Sequence, residues 1–226
     1  MNKAIPVLVK FKVGGNLRYL SHAETVRVFQ RACVRAGIKL QYSEGFNPRP
    51  RLSLPLPRSV GVEAEDDLLS LGVLGWQKGD NRIELSALSF DAEEFRAALA
   101  EQLPEGFELL TVSVAKAKIS PQPSQASYVL TVRKEYFDER LKETAKRLLG
   151  SENLVLQRRI NAEGNIRNVD VRPFLKSIET GDGIITVDCK IGPEGTIRVD
   201  EILELLGLDV EKLAEPVRRT GVQWQQ

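Results

Sequence analysis

Ile5-Pro6-Val7-Leu8-Val9-Lys10-Phe11-Lys12-Val13, a break at Gly14-Gly15-Asn16, and then Ser21-His22-Ala23-Glu24 carry the reading that decides the fold. The alternation of apolar and basic residues up to Val13 predicts a half-buried strand. Ser21 and Glu24 have the spacing of a capping box: the serine hydroxyl can accept from the amide at Glu24, and the carboxylate can reach back to Ser21. That predicts a helix to about Ala36, with Gly37 as its left-handed terminator. Val26, Phe29, Cys33 and Ala36 form the expected apolar stripe. Arg27, Arg31 and Arg35 recur every four residues and form a basic ridge on the solvent side.

Working outward, residues 38–42 read as a strand, 43–51 as an irregular basic loop and 52–54 as extended. Residues 60–74 read mostly as a strand with an acidic turn, and 75–81 as a loop. Asp91 caps a helix over 92–103, and 107–114 is a further strand. Strand, helix, strand, strand, helix, strand is the ferredoxin-like βαββαβ order, with helices on one face of an antiparallel sheet. Residues 116–127 hold Pro121, Pro123, three serines and two glutamines and read as a linker. Beyond it come a strand (128–134), a helix (138–149) and a hairpin (154–160 with 166–171, turning at Glu163-Gly164-Asn165). A short helix (172–178), a strand (184–191), a helix (199–206) closed by Gly207 and a strand near 217–224 complete the chain. The expectation is an α+β protein of two tandem ferredoxin-like domains, 1–115 and 128–226, joined by the linker.

The 226 residues are 42% hydrophobic and 28% charged, a globular composition. Cys33 and Cys189 are too few for a disulfide framework, a four-cysteine zinc site or an iron–sulfur cluster, and read as small buried hydrophobes. One histidine, His22, excludes a histidine-rich metal site. No metal site or cofactor is expected. The first residues lack the apolar core of a secretory signal and no run is long enough to cross a bilayer. A cytoplasmic protein without a membrane partner is expected.

The formal net charge is only +1. It is unevenly spread. Residues 1–58 carry eleven bases against two acids, +9, and residues 59–115 three bases against twelve acids, −9. Either the two segments pair internally, or the basic one faces an acidic partner such as RNA.

The stretch Tyr42-Ser43-Glu44-Gly45-Phe46-Asn47-Pro48-Arg49-Pro50-Arg51 is the most unusual in composition. Gly45 permits an unusual φ, and Pro48 and Pro50 stiffen the chain. Arg49 and Arg51 are thereby presented with little entropy to lose, beside Phe46 and Tyr42. That combination suits phosphate contact and base stacking; the plainer alternative is a proline-rich connection with solvated charges. His22 falls on the azimuth of Val26 and Phe29 and leans toward the sheet. It is either a general base for RNA cleavage through the 2′-hydroxyl or a packed histidine orienting the 45–51 loop. Arg158, Arg159, Arg167 and Arg172 read as an ordinary solvated hairpin face, and Trp76 as a loop anchor. No phosphate loop, nucleophile elbow or zinc-protease helix occurs.

Taken together, four motifs resemble one bacterial family. They are Phe11-Lys12-Val13-Gly14-Gly15-Asn16-Leu17-Arg18-Tyr19-Leu20-Ser21-His22, Arg31-Ala32-Cys33-Val34-Arg35-Ala36-Gly37, Tyr42 to Ser53, and Val60-Gly61-Val62-Glu63. The family is the radical SAM-linked protein, a domain of unknown function. The resemblance implies a partner more than a reaction: a radical S-adenosylmethionine enzyme fused to the domain or encoded beside it, often near a ribonuclease of the E/G type. This chain has no three-cysteine cluster motif and resembles the stand-alone form. Where the family usually has a histidine this chain has Arg49, which removes a second histidine from any two-histidine scheme. A weaker, architectural resemblance is to CRISPR repeat-processing endoribonucleases. The leading expectation is a non-catalytic accessory that binds RNA or presents substrate to the enzyme. Arg27, Arg31, Arg35, Arg49 and Arg51 would meet phosphate, Tyr42 and Phe46 would be available to stack, and Gly45 and Asn47 would shape the loop. The alternatives are a metal-independent endoribonuclease using His22 and a protein-interaction module that binds no nucleic acid.

Overall fold

The computed structural model of the chain describes residues 4–78, 81–83, 90–115, 121–159 and 165–225. The chain divides into two compact units, residues 1–122 with 225–226, and residues 123–224. The fold is mixed α+β, with four α-helices among the described residues and mainly antiparallel strand pairing.

In the first unit, β1 (Ile5–Val13) alternates as its sequence requires, with Ile5, Val7, Val9, Phe11 and Val13 all buried. It lies between β4 (Glu63–Lys78) and β6 (Phe107–Val114), antiparallel to both. Two short strands, β2 (Ile38–Leu40) and β3 (Leu52–Ser53), pair with β4, as does β5 (Asn81–Ile83). The helices α1 (His22–Arg35) and α2 (Ala92–Ala100) send Phe29, Ala32, Cys33, Phe95 and Leu99 into the same buried cluster as the inward residues of β1 and β4. Phe29 meets Phe11 at 4.8 Å and Phe107 at 5.2 Å between ring centroids, both edge to face, the arrangement the ring quadrupoles favour. The capping box at Ser21 and Glu24 is formed, with the Ser21 N–H donating to the Glu24 carboxylate at 2.8 Å.

Three local expectations for this unit are corrected. β4 runs unbroken from Glu63 to Lys78, so the acids at 63–67 lie in a strand and not in a turn. Their partners are distant in sequence: Asp66 pairs with Lys10 at 2.8 Å, and Glu63 accepts from the Gly15 N–H at 2.9 Å. Residues 75–78 continue that strand. Trp76 is buried there, and its indole N–H donates to the Ala36 carbonyl at 2.9 Å, closing the end of α1. The buried stripe of α1 keeps Phe29 and Cys33 as expected, with Thr25 and Ala32 buried in place of Val26 and Ala36.

In the second unit, β7 (Gln122–Thr131) begins inside the stretch read as linker; residues 116–120 lie outside the described residues. It is followed by α3 (Glu139–Gly150), the hairpin β8 (Val155–Arg159) with β9 (Ile166–Asp170), β10 (Leu175–Gly181), β11 (Ile184–Lys190), α4 (Val199–Leu206) and β12 (Arg218–Gln225). The main strands take the order β10-β11-β7-β12, and β8 with β9 forms a separate two-stranded sheet. Residues 172–178, expected as a short helix, are one 3-10 turn at Arg172–Phe174 that opens directly into β10. Proline at 173 suits the start of a turn, but the Asp182-Gly183 turn that follows pairs β10 with β11 as a hairpin. Cys33 and Cys189 are buried, and burial pushes both thiols up to about 12.

Candidate functional site

The basic segment resolves into occupied and displayed groups. Lys10 pairs with Asp66, and Lys12 with Glu108 at 3.1 Å. The Arg18 guanidinium donates to the Gly15 carbonyl and the Tyr19 hydroxyl and stands 3.9 Å from Glu63. Arg58, counted from sequence only as a charge, is a clamp. It donates to the Arg18 carbonyl at 2.7 Å and to the Val62 carbonyl, and reaches the Leu17 and Leu20 carbonyls at 3.4 Å. The acidic segment therefore absorbs part of the basic one, and backbone carbonyls absorb more. Arg27, Arg31, Arg49 and Arg51 are exposed, and no side-chain hydrogen bond or salt bridge is formed by them among the described residues.

The Tyr42–Arg51 stretch is a hairpin standing off the edge of β4. β2 pairs with β4 down to Val73 and β3 takes up the pairing at Leu71, so the eleven residues between them leave and rejoin the strand opposite Gly72. The Gln41 N–H donates to the Gly72 carbonyl at 2.7 Å, and the Gly72 N–H donates to the Arg51 carbonyl at 2.8 Å. The two arms then join each other. Arg51 N–H donates to the Gln41 carbonyl at 2.6 Å, Tyr42 bridges Pro50, and Ser43 N–H donates to the Arg49 carbonyl at 2.8 Å. The Ser43 hydroxyl accepts from the Arg49 N–H at 2.9 Å. Gly45 has φ 123°, open to glycine and strained for any other residue. A chain so tied at both arms keeps its tip residues apart from the body. Phe46 is fully exposed at 106% relative area, and Tyr42 is half exposed at 50%. Glu44, Asn47 and Pro48 are exposed with them.

Gly72 has a second role. Its neighbours Leu71 and Val73 point into the core beneath the helices, so by the period of a strand its own α-carbon faces the other side of the sheet. A Cβ there would meet the Arg51 Cβ at 3.2 Å and the Gln41 Cβ at 3.3 Å. The Arg51 and Gln41 side chains thus leave the hairpin base on the side of the sheet away from that core. The predicted residues are brought together in two groups, not one. Tyr42, Gly45, Phe46, Asn47, Arg49 and Arg51 belong to the hairpin, and Arg27, Arg31 and Arg35 to α1. Within the second group Arg35 is engaged, its guanidinium donating to the Gln102 carbonyl at 2.5 Å.

His22 is exposed and does not lean toward the sheet, which corrects the expected orientation. It is the first residue of α1, and burial along that helix begins one turn later at Thr25. The Ser21 hydroxyl and backbone N–H hold the neighbouring Glu24 carboxyl below the usual carboxylate range. Among the described residues no group of three or more His, Cys, Asp or Glu side chains has the arrangement to hold a metal ion.

In the second unit Arg159 and Arg167 are exposed, as expected of a solvated hairpin face, but Arg158 and Arg172 are built into the fold. Arg158 grips Glu201 with two hydrogen bonds, Nε to Oε1 at 2.5 Å and Nη2 to Oε2 at 2.7 Å, and also donates to the Thr196 carbonyl at 2.7 Å. Burial pushes the Glu201 carboxyl up, but the Arg158 guanidinium and the Arg198 N–H together outweigh it and hold the group below its ordinary value. Arg172 donates to the Leu149, Ser151 and Leu175 carbonyls, tying the end of α3 to the start of β10.

Sequence reasoning passed over Arg58, Gln41, Ser43 and Gly72, the residues that hold the displayed ones in place. A readable signal existed for one of them. A glycine inside a strand pattern marks a close approach of another segment, and Gly72 is such a glycine. A search of the curated proteins finds no match to the chain. Residues 7–199, from β1 to the first residue of α4, match the family described as "Uncharacterized protein conserved in bacteria (DUF2344)", and the chain belongs to that family.

Proposed function

We propose that the protein is a non-catalytic accessory that binds RNA through its first unit and presents it to a radical S-adenosylmethionine enzyme. The observation that carries the reading is the displayed hairpin. Its backbone is pinned at Gly72 and across Ser43 and Arg49, yet Phe46 at its tip is fully exposed and the guanidiniums of Arg49 and Arg51 form no hydrogen bond or salt bridge among the described residues. Rigid cationic groups without an internal partner are suited to meet phosphate at little entropic cost. α1 and the hairpin together hold five arginines against two acids, Glu24 and Glu44, so they share an excess of positive charge. The enzyme partner rests on the resemblance of the sequence motifs to the radical SAM-linked family. The same reading implies a cytoplasmic site of action, where such an enzyme and RNA meet.

We read each unit as ferredoxin-like. Support comes from strand order. In the first unit β6-β1-β4-β2 is the fourth-first-third-second order of that fold, and in the second unit β12-β7-β11-β10 repeats it once β8 and β9 are set aside as an insertion.

A pull-down with tagged full-length chain, with and without nuclease, tests the reading. Recovery of both RNA and a radical S-adenosylmethionine enzyme is expected. Absence of RNA at about 50 mM salt, where phosphate contacts are strong, would end the RNA half. Recovery of the enzyme alone from both arms, with and without nuclease, would leave a protein-interaction module. Cleavage of bound RNA that His22→Ala abolishes would replace the accessory with an endoribonuclease.

A further inference from the structure

We infer that the hairpin takes an unpaired stretch of RNA, with a base stacked on Phe46; this deepens the RNA-binding reading and rests on it. The argument begins with the ring. Phe46 is the most exposed large apolar side chain among the described residues, and it sits at the tip of a projection, not at the rim of a core. No described residue covers it. The chain geometry that displays it is nonetheless specified by Gly45 at φ 123°, by the Ser43–Arg49 hydrogen bonds and by the junction on Gly72.

A flat apolar ring held on a rigid arm, with arginines on the returning strand, offers stacking and phosphate contact together. Phosphate contact alone would not distinguish paired from unpaired RNA. The ring does. In a duplex the base faces are already stacked on one another, and A-form RNA presents a shallow minor groove and a deep, narrow major groove. An unpaired base has a free face for the ring. Tyr42 lies four residues away at the stem, so its ring is based at most about 14 Å from that of Phe46. That span covers at most about four stacked nucleotides at ~3.4 Å each. Arg49 and Arg51 fall on the opposite arm, where the backbone of a strand lying along the hairpin would pass. The acid of the loop, Glu44, weakens the field without cancelling it.

The test uses the full chain and a fluorescently labelled 12-nucleotide RNA of mixed sequence, alone and annealed to its complement, titrated by anisotropy at low salt. The single strand is expected to bind about tenfold more tightly than the duplex. Phe46→Ala is expected to lower single-strand affinity about tenfold and leave duplex affinity where it was, and Phe46→Trp to retain it. The side chain is fully exposed, so its removal opens no cavity, and far-UV circular dichroism checks that the fold is kept. Equal affinity for the two RNAs, or a Phe46→Ala variant that binds the single strand like the parent, overturns the inference while leaving RNA binding intact. Failure of both RNAs to bind overturns the wider reading instead. Loss of the partner enzyme from the pull-down of Phe46→Ala, with RNA affinity unchanged, overturns it in favour of a protein pocket for the ring.

Discussion

Two sets of arginines, one in each unit, meet opposite fates. In the first, α1 and the hairpin hold Arg27, Arg31, Arg49 and Arg51 out into solvent. In the second, Arg158 and Arg172 are drawn onto a carboxylate and four backbone carbonyls. Each unit also carries an excursion from its sheet. The first has the Tyr42–Arg51 hairpin, which is tied at its base and bare at its tip. The second has β8 with β9, whose inward Arg158 is locked to the N-terminal end of α4. A basic sequence thus has two fates, decided by whether an acid or an unpaired carbonyl lies within reach in the fold. Composition along the chain cannot distinguish them, and the fold does.

The sharpest way to break this contrast is at Arg158. Its guanidinium is 14% exposed and the Glu201 side chain 7%, so removing either partner strands a charge in a poorly hydrated place. Arg158→Ala is expected to cost about 3 kcal/mol in urea unfolding of the full chain, and Glu201→Gln nearly as much. Replacing both, Arg158→Met with Glu201→Leu, should recover a large part of the loss, because no orphan charge remains. It should not recover all of it, since Glu201 also accepts from the Arg198 N–H at 2.8 Å. The carboxyl of Glu201 is held below its ordinary value in the folded state, so its contribution is complete at neutral pH. It should fall away as the pH drops through the ordinary glutamate range and then through the lower folded value, and the Glu201→Gln variant should lack that part of the acid dependence.

Gly72 tests the hairpin seat. In Gly72→Ala the new methyl carbon would lie 3.2 Å from the Arg51 Cβ and from the Gln41 Oε1. The amide oxygen can rotate away, but the Arg51 Cβ is carried by a backbone hydrogen-bonded to Gly72 itself and can move only with the hairpin. The expected cost is about 1–2 kcal/mol in stability. RNA affinity should fall with it, as the tip loses its fixed direction. An unchanged melting temperature together with unchanged affinity would show that the seat is compliant. Ser21→Ala comes next, at about 1 kcal/mol by thermal melting, through the loss of one end of the capping box.

What was legible in the sequence was local. Ser21 and Glu24 announced the start of α1, Gly37 its end, and the alternation from Val7 to Val13 announced β1, because each of these signals is satisfied within a few residues. What was illegible depended on partners far away. The acids at 63–67 suggested a turn because nothing nearby neutralises them. They lie in a strand because Lys10 and the Gly15 N–H, more than forty residues upstream, receive Asp66 and Glu63. Residues 172–178 suggested a helix from local propensity, and the pairing of Ser177 with Asp188 across the hairpin overrode it. The hairpin at 42–51 was legible as unusual. Its direction was not, because that is set by Gly72. Nor was the engagement of Arg35, because that depends on the Gln102 carbonyl far along the chain.

The smallest expected effect on stability is the one that most sharpens the comparison. Arg27 and Arg31 donate to nothing among the described residues, so Arg27→Gln with Arg31→Gln should shift unfolding by no more than about 0.5 kcal/mol. The same residue type at 158 is expected to cost several times that. If the first unit displays its arginines for phosphate, the double variant should still lose RNA affinity. The loss should show as a shallower dependence of log affinity on log salt, by close to one for each phosphate contact removed. Stability and salt slope then move independently, which a merely structural arginine cannot do, since its removal would unfold the site and take the whole interaction with it. A double variant that melts early, or one whose salt slope equals the parent's, would mean that α1 does not face the RNA, and would confine the interface to the hairpin.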